Sequence, residues 1–182
     1  MALIKLNNQS LTNVTAAGLP SGTVLQVKYT QFTSYNNVAI SNSATGTALD
    51  DLAVNITPIS TNSIILLTAF INGEFSAAAA HDAVAFFFRD STKLAAPAAG
   101  NRALGVQMGA NISFYDDNNS STPEGFHYSY FDTPSTTSQI TYRPGLRVHA
   151  ACNYKINRTE SDADLSSNER GVSFISATEI AG

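Results

Sequence analysis

Short segments in which apolar residues recur at every second position run through most of this 182-residue chain. In one, Leu25, Val27 and Tyr29 alternate with polar residues, and Leu52, Val54 and Ile56 do the same in another. A period of two places alternate side chains on opposite faces of a strand, so it predicts half-buried strands. No segment of the sequence sustains the 3.6-residue period of a helix. The chain is therefore predicted to be all-β.

The spacing of the strand segments predicts how the sheets are arranged. Clusters of Asp, Ser, Thr, Asn and Pro separate the segments, and Asn36-Asn37 is predicted to be a turn. Eight or nine short strands with a turn signal after each are typical of an antiparallel β-sandwich or jelly roll. Beyond the two segments above, strands are expected near 64–70, 83–88, 103–114, 125–131, 139–149 and 172–180.

The first residues of the chain differ from the rest. Aliphatic residues occur among Asn, Thr and Gln there without a lasting period, and Pro20 and Gly22 mark the end of this stretch. We divide the chain into residues 1–21 and a sandwich domain over residues 22–182. The first stretch is either an extended arm that contacts a neighbouring surface or an edge strand of the sandwich. The residues expected to make the contacts of such an arm are Leu3, Ile4, Leu6 and Leu11.

Two predicted strands, at 64–70 and 83–88, are apolar at nearly every position. A strand of an antiparallel sandwich buries one face in the core, so the second apolar face needs a cover of its own. Either a local loop or helix covers it, or another subunit does; few residues are free to form a covering helix. The residues expected in the core or in a subunit interface are Leu66, Phe70, Phe86 and Phe88.

Composition excludes several classes of function. Charged residues make up 13% of the chain, against about 25% in ordinary soluble domains, and the net charge is −4. This balance argues against a nucleic-acid partner, which requires a basic surface. No apolar run reaches membrane-spanning length, and the first apolar run is too short for a signal peptide, so we expect synthesis in the cytoplasm without membrane insertion. The abundant uncharged polar residues suit an assembly or an outer shell.

Few residues of the sequence suggest catalysis or metal binding. His81, His127 and His149 are scattered, and each lacks a second ligand at metal-binding spacing. Cys152 has no nucleophile signature around it and is interpreted as a structural thiol. The stretch 162–169 has oxygen-bearing residues at alternate positions, but Ser167 stands where a calcium loop requires glycine, which favours a solvated loop. We therefore expect no catalytic residue, no cofactor and no metal.

Several segments resemble a recurrent domain of tailed-bacteriophage virions, including those of cyanobacterial and other aquatic phages. They include Leu-Pro-Ser-Gly-Thr-Val at 19–24, Phe-Asp-Thr-Pro-Ser-Thr-Thr at 131–137 with Ile-Thr-Tyr-Arg at 140–143, and Arg-Gly-Val-Ser-Phe-Ile at 170–175. Together the segments cover most of residues 19–181. The resemblance implies a jelly-roll sandwich, similar to C1q and TNF heads, that assembles as a homotrimer. The resemblance assigns no catalytic residues to this chain.

Such domains occur in two settings in the virion. One is a free-standing cement, or decoration, trimer on the capsid exterior, whose partner would be the phage major capsid protein. The other is the receptor-binding tip of a tail fibre or tailspike, where loops such as 116–123 and 161–169 would contact host-surface glycan. A short first stretch without heptads or shaft repeats favours the cement protein. A polysaccharide-degrading enzyme is not expected, since neighbouring loop aspartates alone do not define a carboxylate pair.

Overall fold

A computed structural model describes residues 18–112 and 121–182. It is all-β, with 48% of the residues in strands and no α-helix in the described ranges. Its sheets are antiparallel and consistent with a β-sandwich, which confirms the predicted class. Within the same ranges, no helix has the length and apolar character needed to cross a membrane. The expected arm contacts Leu3, Ile4, Leu6 and Leu11 lie outside the described residues, as does most of the loop 116–123.

Fourteen strands follow one another along the described residues. Two single-turn 3-10 helices interrupt them, at Asp50–Leu52 and Ala80–Asp82. The strands are β1 (Val24–Phe32), β2 (Asn36–Ile40), β3 (Thr47–Ala48), β4 (Val54–Ile56), β5 (Ile64–Ile71), β6 (Gly73–Phe75), β7 (Val84–Arg89), β8 (Thr92–Leu94), β9 (Gln107–Met108), β10 (Asn111–Ile112), β11 (Glu124–Asp132), β12 (Ile140–Arg147), β13 (Cys152–Ile156) and β14 (Ser173–Ile180).

The strands form three sheets with antiparallel pairing throughout. Sheet I has the order β1-β14-β5-β11-β10. Sheet II has the order β3-β12-β7-β8, with β4 also paired to β12 and β9 to β7. Sheet III is the short set β2-β13-β6. Most of these pairs join strands that are far apart in the sequence, so the fold depends on long-range pairing.

The core lies between the sheets and is filled by one face of each long strand. The residues of β5 that face the core are Ile65, Leu67, Ala69 and Ile71, and all four are fully buried. Phe87 on β7 packs 4.7 Å, centroid to centroid, from Tyr128 on β11, and the Tyr128 hydroxyl donates to the Phe86 carbonyl. Each fully buried side chain of this size contributes about 1.5–3 kcal/mol relative to exposure. On β4 the alternation seen in the sequence marks the core face, since Val54 and Ile56 are buried. On β1 it does not, because the alternating Val27 and Tyr29 are exposed and lie on the face away from the core.

The structure corrects two of the local predictions. In the described part of the strand expected at 103–114, residues 103–112, there are only the two-residue strands β9 and β10, with Gly109 at a φ of +68° between them. The turn predicted at Asn36-Asn37 is wrong, because these residues begin β2 and pair with Ile156 and Lys155 of β13. Long-range pairing there overrides the local turn preference of asparagine.

Candidate functional site

The outer face of sheet I is a surface without charged side chains. Side chains at directly paired positions of antiparallel strands point to the same side. The registers of β1, β14, β5 and β11 therefore place one set of side chains on the face opposite the core. None of them is Asp, Glu, Lys or Arg. We call this set the sheet I face; it consists of Val24, Val27, Tyr29, Gln31, Ile64, Leu66, Thr68, Phe70, His127, Ser129, Phe131, Phe174, Ser176, Thr178 and Ile180.

The aromatic side chains of this face remain open to solvent. Tyr29 is 72% exposed, Phe131 64% and Phe70 37%. Phe70 stacks on Phe174 at 5.9 Å between ring centroids and meets His127 edge-on at 5.6 Å. With strands about 4.8 Å apart and about 3.4 Å per residue, the four strands span roughly 400 Å² in projection. An uncharged face of this size that leaves aromatic rings exposed has the properties of an interaction surface.

The outer face of sheet II differs because the chain itself covers it. Phe86 is fully buried and Phe88 is 5% exposed, and together with Val84 they form a small cluster on the side of β7 away from the main core. The Lys93 ammonium lies 3.8 Å from the centroid of the Phe86 ring and donates to the Ala44 carbonyl. Loop residues near β3, β8 and β9 supply the remaining cover.

The four residues predicted for the core or an interface therefore separate into two pairs. Phe86 and Phe88 lie in the small cluster on sheet II, under cover from their own chain. Leu66 and Phe70 lie on the sheet I face, where Leu66 is partly buried and Phe70 exposed. The sequence pattern grouped all four residues because each belongs to a strand that is apolar on both faces.

A buried network of polar groups joins the two main sheets at one end. Asp132 on β11 accepts two hydrogen bonds from Arg89 Nη1, at 3.0 and 3.1 Å. The Tyr142 hydroxyl donates to the same carboxylate at 2.6 Å. Burial raises the pKa of Tyr142 far above its ordinary value, and the hydrogen bond to Asp132 adds to the rise. The phenol therefore stays protonated, and the network acts as a structural link.

A second buried polar cluster lies where β6, β11 and β13 meet. Glu74 is fully buried and accepts hydrogen bonds from the Thr122 hydroxyl and the Glu160 amide, each at 2.9 Å. Glu124 is 5% exposed and accepts from the Phe75 amide at 2.7 Å. Burial raises the pKa of Glu124 to about 7; the Phe75 amide opposes the rise and the Glu74 carboxylate adds to it. Two carboxyl groups thus lie in the core beside the half-buried Lys155–Glu160 pair, whose charged atoms are 3.5 Å apart.

The remaining candidates for catalysis or metal binding, three histidines and a cysteine, do not form a common site. His81 and His149 are exposed in separate connections, while His127 lies on the sheet I face. Cys152 is a free, partly buried cysteine, and burial together with Glu124 raises its pKa, which disfavours the reactive thiolate. Among residues 18–112 and 121–182, no group of three or more His, Cys, Asp or Glu side chains could hold a metal ion.

In the stretch 162–169, where the sequence has oxygen-bearing residues at alternate positions, an aspartate forms ion pairs with two arginines. Asp162 forms ion pairs with Arg158 and Arg170. The same two guanidinium groups lie 5.8 and 4.6 Å from the centroid of the Tyr35 ring. Sequence reasoning missed this grouping because it joins the connection between β1 and β2 with a loop more than a hundred residues later. No local motif signals such a contact.

Comparison with known proteins does not assign this chain to a family. A scan against protein-family models gave no match, and a search of curated proteins found none similar to this chain. The arguments about function that follow rest on the sequence and on the geometry above.

Proposed function

We propose that this chain is a structural protein of a bacteriophage virion, a homotrimeric cement protein on the outer surface of the capsid. The observation that carries the proposal is the uncharged, aromatic sheet I face, which no described residue of the chain covers. The resemblance of residues 19–181 to virion domains supplies the setting. Cover by further copies of the same chain would remove this surface from water.

The order of pairing supports a jelly-roll classification of the sandwich. Going inward from the two ends of the described chain, β1 pairs with β14, β2 with β13, β3 and β4 with β12, β5 with β11, and β7 with β8. These pairs are nested like the two arms of one long hairpin. Successive pairs fall in sheets I, III, II, I and II, so the hairpin is rolled across the sandwich. A rolled hairpin of this kind is the topology of a jelly roll.

A closed oligomer is the arrangement that suits the sheet I face. In a closed ring every copy uses the same surfaces, so no apolar patch remains free at an end. The absence of Asp, Glu, Lys and Arg from the face removes the desolvation cost of burying charge. The phage-domain resemblance specifies three copies.

The proposed mechanism of a cement trimer is mechanical. Each trimer would bridge neighbouring shell subunits, and three weak contacts held on one rigid body act together through their high effective concentration. Separation of two shell subunits would then also require removal of the trimer. Because the chain carries few charges, this attachment should tolerate salt better than an electrostatic clamp.

The test is the copy number of the chain in purified virions, measured by quantitative mass spectrometry against the major capsid protein. A ratio approaching one copy per shell subunit supports a cement protein. A ratio of only a few trimers per particle would indicate that the chain belongs to the tail. Absence of the chain from virions would overturn both virion settings.

A second test concerns the first residues of the chain. We expect a variant lacking residues 1–18 to fold and to associate as the full chain does, but to lose its binding to purified capsids. Undiminished capsid binding by this variant would show that the first stretch, including Leu3, Ile4, Leu6 and Leu11, is not the attachment segment.

The second candidate function is the receptor-binding tip of a tail fibre. Two pockets along the 161–171 loop, of about 140 and 330 Å³, favour it. This function predicts that the purified protein binds host cells and competes with phage adsorption. A cement protein would do neither.

A further inference from the structure

One side chain of the sheet I face can gain a charge within the ordinary range of pH. His127 lies in the middle of β11 and is exposed to solvent. Histidine is the residue type whose charge ordinarily changes between about pH 5 and 8. The one other titratable side chain of the face is Tyr29, and tyrosines ordinarily titrate at about pH 10. The charge of the whole face near neutral pH therefore depends on His127.

The groups packed around His127 are uncharged. On β5 its direct partner is Phe70, whose ring it meets edge-on at 5.6 Å between centroids. Phe174 of β14 stacks on the same Phe70 ring at 5.9 Å and continues the row. On the other side of β11, the His127 backbone amide donates to Gln107 Oε1 at 3.1 Å. The imidazole thus sits at one end of an aromatic row that offers no counter-ion.

The carboxylates of the flanking strands lie on the core side of the sheet. Glu124 and Asp132 occupy buried positions of β11 that alternate with His127, and Glu179 of β14 is fully buried. Each is already held by hydrogen bonds, Glu124 by the Phe75 amide, Asp132 by Arg89 and Glu179 by the Ser63 hydroxyl. Strand β5 contributes no ionisable residue. Among the described residues, none of these carboxylates can therefore pair with His127.

The polar groups that lie nearest on the face suit a neutral imidazole. Thr68 and Ser129 form the next pair along β5 and β11, and their hydroxyl oxygens are 3.0 Å apart. A hydroxyl can donate to one ring nitrogen or accept from the other, so it can satisfy neutral histidine. It cannot neutralise the positive charge of the protonated ring. The surroundings of His127 therefore distinguish its two charge states once water is removed.

From this arrangement we infer that association of the chain through the sheet I face is controlled by pH, with neutral His127 favouring assembly and protonated His127 opposing it. The partner on the face is a further copy of the same chain, because a face without fixed charge meets no charge repulsion from its own copies. The inference rests on the association proposed above and adds the way in which it is regulated.

The direction of the effect follows from desolvation. A protonated imidazole that enters an uncharged interface loses its water and gains no carboxylate in return, which is unfavourable. Every copy in a closed ring uses the same surfaces, so each copy contributes this cost. The assembled state then binds fewer protons than the free chains, and by linkage its formation is favoured as the pH rises through the histidine range.

The test is sedimentation equilibrium of the purified full chain at pH 8 and pH 5, at one ionic strength and over a range of concentrations. We expect the dissociation constant to be at least about 10-fold higher at pH 5. His127→Gln, which cannot gain a charge, should lose most of this difference. His127→Phe keeps an aromatic ring beside Phe70 and is the second uncharged variant if glutamine disturbs folding, which circular dichroism reports. His149→Gln, at an exposed position between β12 and β13, is the matched control and should keep the full difference.

Three results would overturn the inference and leave the proposed oligomer intact: equal dissociation constants at the two pH values, tighter association at pH 5, or an undiminished pH difference in the folded His127 variants. A different result would overturn the oligomer itself. If the original chain has the mass of one chain at both pH values and at every concentration, association through the sheet I face is wrong, and its regulation is wrong with it.

Discussion

The buried carboxyl group of Glu124 should make the stability of the fold depend on pH, and Glu124→Gln tests this. Burial raises its pKa from 4.5 to about 7 in the folded chain. The native state therefore holds this proton more tightly than the unfolded chain does. Below about pH 4.5 the group is protonated in both states and its contribution to stability is fully present. As the pH rises towards 7, the unfolded chain ionises freely while the native state resists, so stability falls.

The magnitude follows from the size of the pKa change. Each unit corresponds to about 1.4 kcal/mol, so the fall amounts to at most about 3 kcal/mol and levels off above about pH 7. Glutamine keeps an oxygen that can accept from the Phe75 amide but cannot ionise. We therefore expect the free energy of unfolding of Glu124→Gln, relative to the original chain, to rise by up to about 3 kcal/mol between about pH 4.5 and 7.

Urea unfolding at a series of pH values and one protein concentration measures this difference, since association would otherwise shift the midpoint. Glu169→Gln, at an exposed carboxylate, is the matched control for the change from glutamate to glutamine. A flat difference for Glu124→Gln, or one that falls as the pH rises, would refute the reasoning. It would mean that water or a cation reaches the carboxylate in the folded chain.

Three further substitutions test the packing and the sheet I face. Leu67→Ala should lower the free energy of unfolding by about 2–5 kcal/mol in urea titrations, because Leu67 is fully buried. Asp132→Ala should cost about 3 kcal/mol in the same assay, since it leaves Arg89 and the Tyr142 hydroxyl unpaired. Phe131→Asp should leave the circular dichroism spectrum unchanged but reduce the mass found by sedimentation to that of one chain; an unchanged mass would place the contact elsewhere.

Much of the fold could be predicted because strand periodicity is local. The alternation around β1 and β4 and the apolar run of β5 are present in the sequence, and strands form at all three. On β1, however, the alternating Val27 and Tyr29 face away from the core, because β1 lies at the edge of its sheet. The short strands β6 and β8 were missed because three residues are too few to establish a period. Asn36 and Asn37 were misassigned because their strand exists only through its pairing with β13.

The candidate sites were harder to predict than the fold. The sequence marked 64–70 and 83–88 as apolar on both faces, but it could not show what lies over each strand. Lys93 covers Phe86 through a contact set by the β7–β8 hairpin. The grouping of Tyr35 with Arg170 had no local signal, because these two residues meet only after the sheets have formed.

The contrast between the two outer faces limits how the chain can associate. On sheet II the hairpin after β7 and the connection before β3 fold back over Phe86 and Phe88, so that apolar surface is already used. On sheet I no described segment folds back, and the aromatic row of Phe174, Phe70 and His127 stays accessible across three strands. The sheet I face, rather than the outer face of sheet II, is therefore the surface that we expect to take part in association.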